Sequence, residues 1–238
     1  MDKKVVYLYS RYVENVRKAP ESGAVCVDEL TAGDLAGAYA AVYLPGAYYN
    51  DATFGVICDY YKNGGVLVLP GTKPLSQPYA VRGGAAVLGT QSVAALRALG
   101  PVEQHVPNGK LDAGCRASVE DEAFAPLEKA VADGAFDGLK ETWSLHYNLA
   151  RTEKDQYGEY LQDAKLDVAV RVRNAEGRCI AAPVTRVTHR SEGCLYLLNF
   201  APEKADYYEA GAGRELLEAV VECALRPRVR VRFEPVYA

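Results

Sequence analysis

The sequence is poor in most of the residues that announce chemistry. Its 238 residues include three histidines, one tryptophan and one methionine. His105, His146 and His189 lie far apart and make no metal-ligand spacing, so no metal site and no cofactor is expected. The six cysteines, at positions 26, 58, 115, 179, 194 and 223, form no CxxC pair, which leaves out the common zinc and dithiol motifs. Cys26, Cys58, Cys194 and Cys223 sit in apolar runs and read as free core thiols in a reducing compartment. No apolar run approaches the ~18 residues of a membrane helix. Met1-Asp2-Lys3-Lys4 runs straight into Val5–Tyr9, too short a stretch for a signal-peptide core. The expectation is a cytoplasmic chain without a membrane partner. A basic excess is missing too: 27 Lys plus Arg stand against 31 Asp plus Glu, a formal charge of −4. Nucleic acid is therefore not an expected partner. The alternating Arg226, Arg228, Arg230 and Arg232 read as a charged edge strand.

What is abundant is tyrosine, 17 against 5 phenylalanines. Tyrosine buries a ring but wants a partner for its hydroxyl, which suits half-wet surfaces and ligand grooves. Tyr7, Tyr9, Tyr43, Tyr61 and Tyr196 fall on expected strands or a helix stripe. Tyr48, Tyr49, Tyr79, Tyr207 and Tyr208 fall in expected loops.

Alternating elements run through the first half. Val5–Tyr9, Ala24–Val27, Ala40–Leu44 and Val66–Leu69 are continuous apolar runs, the pattern of strands buried on both faces. Between the last two, Asn50 or Asp51 can cap a helix. Phe54, Ile57, Cys58 and Tyr61 form its apolar stripe, and Asn63-Gly64-Gly65 stops it. Strand, helix and strand within about 30 residues make a βαβ unit and predict a parallel sheet with helices on both faces. Further on, Lys73–Ala80 reads as a loop, Gln91–Leu99 as a short helix and Pro101–Cys115 as a loop or irregular strand. Ser118-Val119-Glu120-Asp121 resembles a capping box, and Thr152–Ala164 reads as a helix with Tyr157, Tyr160 and Leu161 inside. The last third carries three strands, Leu166–Arg173, Arg178–Arg190 and Cys194–Phe200, separated by turn residues. An amphipathic helix, Gly213–Leu225, and a closing strand, Arg228–Pro235, end the chain. The predicted fold is α/β: a three-layer sandwich with a flavodoxin-like, mostly parallel doubly wound sheet and an added C-terminal antiparallel meander. One α/β domain would span 1–225, with 226–238 a terminal strand or the start of a following β segment.

Tyr39–Gly46, Lys62-Asn63-Gly64-Gly65-Val66-Leu67-Val68, and Ala182–Arg190 with Gly193–Tyr196 resemble the class I glutamine amidotransferase-like superfamily. Within it they are most similar to the trimerisation domain of family 42 β-galactosidases and related glycosidase-associated domains. An active member of the superfamily has a cysteine at the sharp turn after the fourth strand and a histidine in a Phe-His-Pro-Glu run at the end of a late strand. Here the turn reads Leu69-Pro70-Gly71-Thr72-Lys73 and the run reads Phe200-Ala201-Pro202-Glu203. Nucleophile and base are both replaced, by the Thr72 region and by Ala201, and Glu203 alone is kept. Without a thiolate and a general base, glutamine hydrolysis has no route.

No catalytic residue is therefore assigned. The resemblance implies a pseudoenzyme acting in binding or assembly within a carbohydrate-active system, either as a homo-oligomer or with a partner glycosidase domain. The alternative is a hydrolase with a differently placed nucleophile at the same edge. In doubly wound sheets ligands bind outside the carboxyl ends of the strands. Tyr48 and Tyr49 follow the third strand, Thr72 and Lys73 the fourth, and Asn199 and Glu203 a late one. These six are the candidate ligand-binding rim, suited to a carbohydrate; the competing reading has Tyr48 and Tyr49 covering the helix that follows. Glu120-Asp121-Glu122, Gly211-Ala212-Gly213 and the Trp143–His146 stretch read as a helix start, a turn and a packed strand.

Overall fold

Val66–Pro70 shows why a parallel sheet forms. All five residues are buried, with Val66 and Val68 facing one layer and Leu67 and Leu69 the other. Apolar side chains on both faces need cover on both sides, and helices supply it.

The structure is a computed structural model. It describes residues 4–13, 24–71, 73–99, 102–107, 114–137, 139–147, 150–154, 160–162, 164–189, 193–202 and 207–226. In chain order the elements are β1 (Lys4–Tyr9), β2 (Ala24–Cys26), β3 (Ala38–Tyr43), β4 (Tyr48–Asn50), α1 (Phe54–Lys62), β5 (Val66–Pro70), β6 (Gln77–Arg82), β7 (Ala85–Leu88), α2 (Ala94–Ala98) and β8 (Val102–Pro107). There follow β9 (Arg116–Ser118), α3 (Leu127–Ala132), β10 (Leu139–Tyr147), β11 (Ala150–Lys154), β12 (Tyr160–Gln162), β13 (Ala164–Arg173), β14 (Cys179–His189), β15 (Cys194–Leu198), β16 (Phe200–Pro202) and α4 (Gly211–Leu225).

The main sheet has eight strands in the order β2-β1-β3-β5-β15-β14-β13-β9. The first five are parallel, and β14, β13 and β9 extend the sheet as an antiparallel meander. One layer packs α3 and α4 on the sheet, through Leu127, Leu216, Leu217 and Val220. The other packs α1 and α2, through Ile57, Tyr61 and Leu96. This is the expected three-layer sandwich with its C-terminal meander. Asp167 and Arg186 face each other across β13 and β14 at 2.8 Å, both largely buried, with Arg186 also 4.5 Å over the Phe124 ring. Lys165 reaches the same carboxylate, also at 2.8 Å.

Several local expectations change. Tyr48–Asn50 is a strand, paired parallel to Gln77–Tyr79, so the second half of the expected 73–80 loop belongs to a second small sheet, β4-β6-β7. Cross-strand pairing this short leaves no periodicity to read. The expected helix over 152–164 is instead short antiparallel pairing of β11 with β12. Tyrosine and leucine three and four residues apart fit either element over so short a span. The helix expected from Ser118 onward begins later: Asp121 caps a single 3₁₀ turn, accepting from Ala123 N, and α3 follows. Asn50 makes an Asx turn with Ala52 N ahead of α1, whose N-cap is Thr53. The expected closing strand at 228–235, and with it the 226–238 segment beyond Arg226, lies outside the described residues. No helix among the described residues is long and apolar enough to cross a membrane.

Candidate functional site

The carboxyl edge of the parallel strands brings together the loops after β1, β2, β3, β5 and β15. Backbone bonds tie two of them side by side: Leu75 N donates to Gly46 O at 3.0 Å and Gln77 N to Ala47 O at 2.8 Å. Gly46 and Gly71, at the turns after β3 and β5, face each other with φ of 59° and 110°. A Cβ on Gly71 would sit 3.7 Å from Gly46 Cα, and neither backbone conformation suits an L side chain. Lys73 and Leu75 are left-handed as well, at φ 50° and 52°, which costs each roughly 1–2 kcal/mol. Leu75 is fully buried, so packing holds the loop in that shape.

The rim residues foreseen from sequence are placed unequally. Tyr49 is buried, its ring 4.8 Å from Phe54 at the start of α1. Tyr48 is half-buried, and its carbonyl accepts from the Tyr43 hydroxyl at 2.9 Å. Lys73 is half-buried in the strained loop. Asn199 follows β15, whose Leu198 is in register with Pro70, and is 2% exposed. Its Nδ2 donates to Thr185 Oγ1 at 3.1 Å, and its Oδ1 has no hydrogen-bond partner among the described residues. Thr72 and Glu203 lie outside the described residues. Ala201, at the position that the amidotransferase resemblance gives to histidine, lies on β16 opposite Glu141 of β10.

Sequence reasoning missed the polar centre of this edge. Asp28, just past β2, is half-buried and ringed by donors. The Tyr79 hydroxyl donates to its Oδ1 at 2.5 Å and Asn50 Nδ2 at 3.2 Å. Ser10 Oγ donates to Oδ2 at 3.0 Å, Arg11 N at 2.9 Å and the Cys26 thiol at 3.3 Å. Burial alone would raise the Asp28 pKa, but the bonds from Tyr79, Arg11 N, Asn50 and Cys26 hold it below the ordinary carboxylate range. The same contacts act oppositely on the donors: burial and the adjoining carboxylate push the Tyr79 hydroxyl and the Cys26 thiol up. Cys26, the thiol of this cluster, is thus a protonated donor rather than a thiolate. Apart from Cys26, two residues away, the partners are 17 to 51 residues from Asp28 in the chain, so no local motif marks the cluster. Its one available signal was a polar residue directly after each of two apolar strands, Ser10 and Asp28.

The amino edge differs. A cleft of about 390 Å³ opens between the residues leading into β3 and the end of α1. Leu35, Tyr39, Val56, Asp59, Tyr60 and Asn63 line it, with the backbone of Gly37, Gly64 and Gly65. No group of three or more His, Cys, Asp or Glu able to hold a metal ion occurs among the described residues.

No protein-family model matches the sequence, and no curated protein matches it. Solved structures similar to the chain include the mmIFT52 N-terminal domain, at 9% identity and a TM-score of 0.46, with 95% of this chain and 99% of that one covered. They also include a β-galactosidase from Bifidobacterium adolescentis, at 14% identity and a TM-score of 0.28, with 95% and 99% covered.

Proposed function

We propose that this chain is a non-catalytic, amidotransferase-like domain that serves ligand binding or assembly, in a carbohydrate-active system. One observation carries the reading. The two positions that would hold nucleophile and base are the Pro70-Gly71-Thr72 turn and Ala201, and neither supplies a thiol or an imidazole. Hydrolysis through a covalent intermediate needs an activated nucleophile beside its base. Cys26, at the end of β2, donates to the Asp28 carboxylate, and burial pushes its thiol up. Binding fits what is left. The strained loop at Lys73 and Leu75 and the Asn199 Oδ1, which has no hydrogen-bond partner among the described residues, are costs that a binding rim tolerates. The carbohydrate assignment follows from the resemblance of the Tyr39–Gly46 and Lys62–Val68 stretches to glycosidase-associated domains.

The test has two arms. Ammonia release from L-glutamine is expected to stay at the level of buffer; release that scales with protein concentration overturns the non-catalytic reading. Galactose and lactose are then titrated while amide resonances of Tyr48, Lys73 and Asn199 are followed, and sedimentation is measured across protein concentration. Saturable shifts at these residues, or reversible self-association, are expected. A monomer at all concentrations with no such shifts overturns the binding or assembly role.

A further inference from the structure

We infer that β7 is a self-association edge: two copies of the chain pair antiparallel along it, about a twofold axis at Val87, to make one six-stranded sheet. This rests on the assembly half of the reading above and names its surface.

Three of the five large hydrophobic residues that stand exposed among the described residues sit on one hairpin: Val81 at 37%, Val87 at 47% and Leu88 at 49%. β6 and β7 form it, joined by Gly83-Gly84 at φ 57° and 76°, the left-handed pair that a tight hairpin turn needs. Its root is fixed at the carboxyl edge, where the Tyr79 hydroxyl donates to Asp28. Its outer strand is the open edge of the β4-β6-β7 sheet. Edge strands are normally blunted by charge, proline or a bulge. Ala85-Ala86-Val87-Leu88 has neither charge nor proline, and it pairs with β6 without a shift of register. Arg82 is the one charge between Tyr79 and Gly89.

The ladder fixes which backbone groups are free. Gly89 N donates to Pro78 O at 2.8 Å, and bonded pairs alternate from there. Val87 therefore bonds inward, to Ala80, while Ala86 and Leu88 turn their N–H and C=O groups outward. No described residue meets those four groups. A second extended strand can.

The strand fits itself. In an antiparallel pair outward residues must meet outward residues. The register that uses both on each copy sets Ala86 opposite Leu88 of the second copy. Four backbone bonds form, and Val87 stands opposite Val87 of the second copy on the axis, a β-branched cross-strand pair. On the other face the row across the sheet reads Val81, Ala86, then Leu88 and Tyr79 of the second copy. Each small alanine thus lies between two bulky side chains, which gives the leucine a place against Val81. The same axis holds the two Arg82 residues roughly 20 Å apart, beyond the screening length of about 8–10 Å. The contact is isologous and closed, so it stops at two copies. Two short strands bury less than the about 1,200 Å² of a standard interface, so the dimer is weak and populated at high concentration.

The experiment is sedimentation equilibrium of the whole chain from about 5 to 500 µM. A monomer–dimer equilibrium is expected. Val87→Lys sets like charges face to face on the axis and is expected to weaken it by at least about tenfold. Ile180→Lys, a control at an exposed hydrophobic residue on β14, is expected to leave it unchanged. Both sites are exposed, and unchanged thermal melts verify the folds. A positive arm uses Val87→Cys in a Cys179→Ser background, which removes an exposed thiol. Across the axis the two new cysteines have Cα atoms about 4.5 Å apart, within the span of a disulfide, so copper phenanthroline should give a covalent dimer. Association equally strong in Val87→Lys overturns the β7 surface and leaves the assembly reading standing. A monomer at every concentration overturns both. Open-ended growth beyond two copies, or no covalent dimer from Val87→Cys, contradicts the closed twofold pairing.

Discussion

Asp28 and Asp59 lie at opposite edges of one parallel sheet, and their surroundings separate two uses of a carboxylate. At the carboxyl edge, Tyr79, Ser10, Asn50, Cys26 and the Arg11 N–H converge on Asp28. They join the ends of β1 and β2 to β4 and β6, and the Thr53 hydroxyl fastens α1 to the same loop through Val27 O at 2.6 Å. At the amino edge, Asp59 borders an open cleft and none of the described residues pairs with it. A carboxylate surrounded by the fold's own donors holds loops together; one left facing a cleft is available to something else. The edge where doubly wound folds usually bind ligands is here the more closed of the two at its Asp28 end.

The largest expected effect comes from removing the closed carboxylate. Asp28→Ala removes the carboxylate that accepts from Tyr79, Ser10 and the Asn50 amide, leaving the Tyr79 hydroxyl only Ser10 Oγ, at 2.9 Å, among the acceptors of the cluster. It is expected to cost about 2–4 kcal/mol in urea unfolding, since hydrogen bonds to a charged group are each worth about 1.5–3 kcal/mol and are not additive. Asp59→Ala is expected to stay within about 0.5 kcal/mol of wild type. Equal losses for the two would erase the contrast between the edges.

Gly65→Ala comes next. The new methyl group displaces the Tyr60 ring, with an expected loss of about 1–3 kcal/mol and a disrupted cleft. Crystals of the variant with the ring unmoved would show that the glycine does not shape the site. Tyr79→Phe removes one donor to Asp28 and is expected to cost about 1–2 kcal/mol, read from the shift in urea midpoint at constant slope.

The smallest effect is in the pH dependence. Asp28 and Asp167 both have folded-state pKa values below the ordinary range; at Asp167 the opposing burial is outweighed by Lys165 and Arg186. With a depressed folded pKa, the unfolded chain binds more protons in acid. The contribution of these groups is therefore complete above the ordinary Asp value of about 3.9 and is lost as pH falls through the lower folded value. Urea midpoints should fall below about pH 4, and Asp28→Asn should flatten part of that slope. An unaltered slope in the variant would mean that Asp28 is not a paired carboxylate.

Much of the sheet was legible because its strands are unusually plain. Val66–Pro70 and Cys194–Leu198 are fully buried, and continuous apolar runs say so. The meander was legible from its turns, since Asn174–Gly177 closes through Gly177 N to Asn174 O at 2.9 Å. The tyrosines were harder. Tyr79, read as a loop residue, is 1% exposed and is the main donor to Asp28, while Tyr208, read likewise, is 7% exposed beside Phe200. Their burial is set by strands and turns far away in sequence, which no local pattern encodes. Both edges share that origin. Ser10, Asp28, Asn50 and Tyr79 meet only once β1, β2, β4 and β6 are assembled. Gly64-Gly65 reads as a helix stop until Tyr60 is found lying on it.

The most direct test of the contrast between the edges is urea unfolding of Asp28→Ala and Asp59→Ala measured side by side. The expected result is a loss of about 2–4 kcal/mol for Asp28→Ala and of less than about 0.5 kcal/mol for Asp59→Ala. A loss at Asp59 as large as that at Asp28 would contradict the contrast.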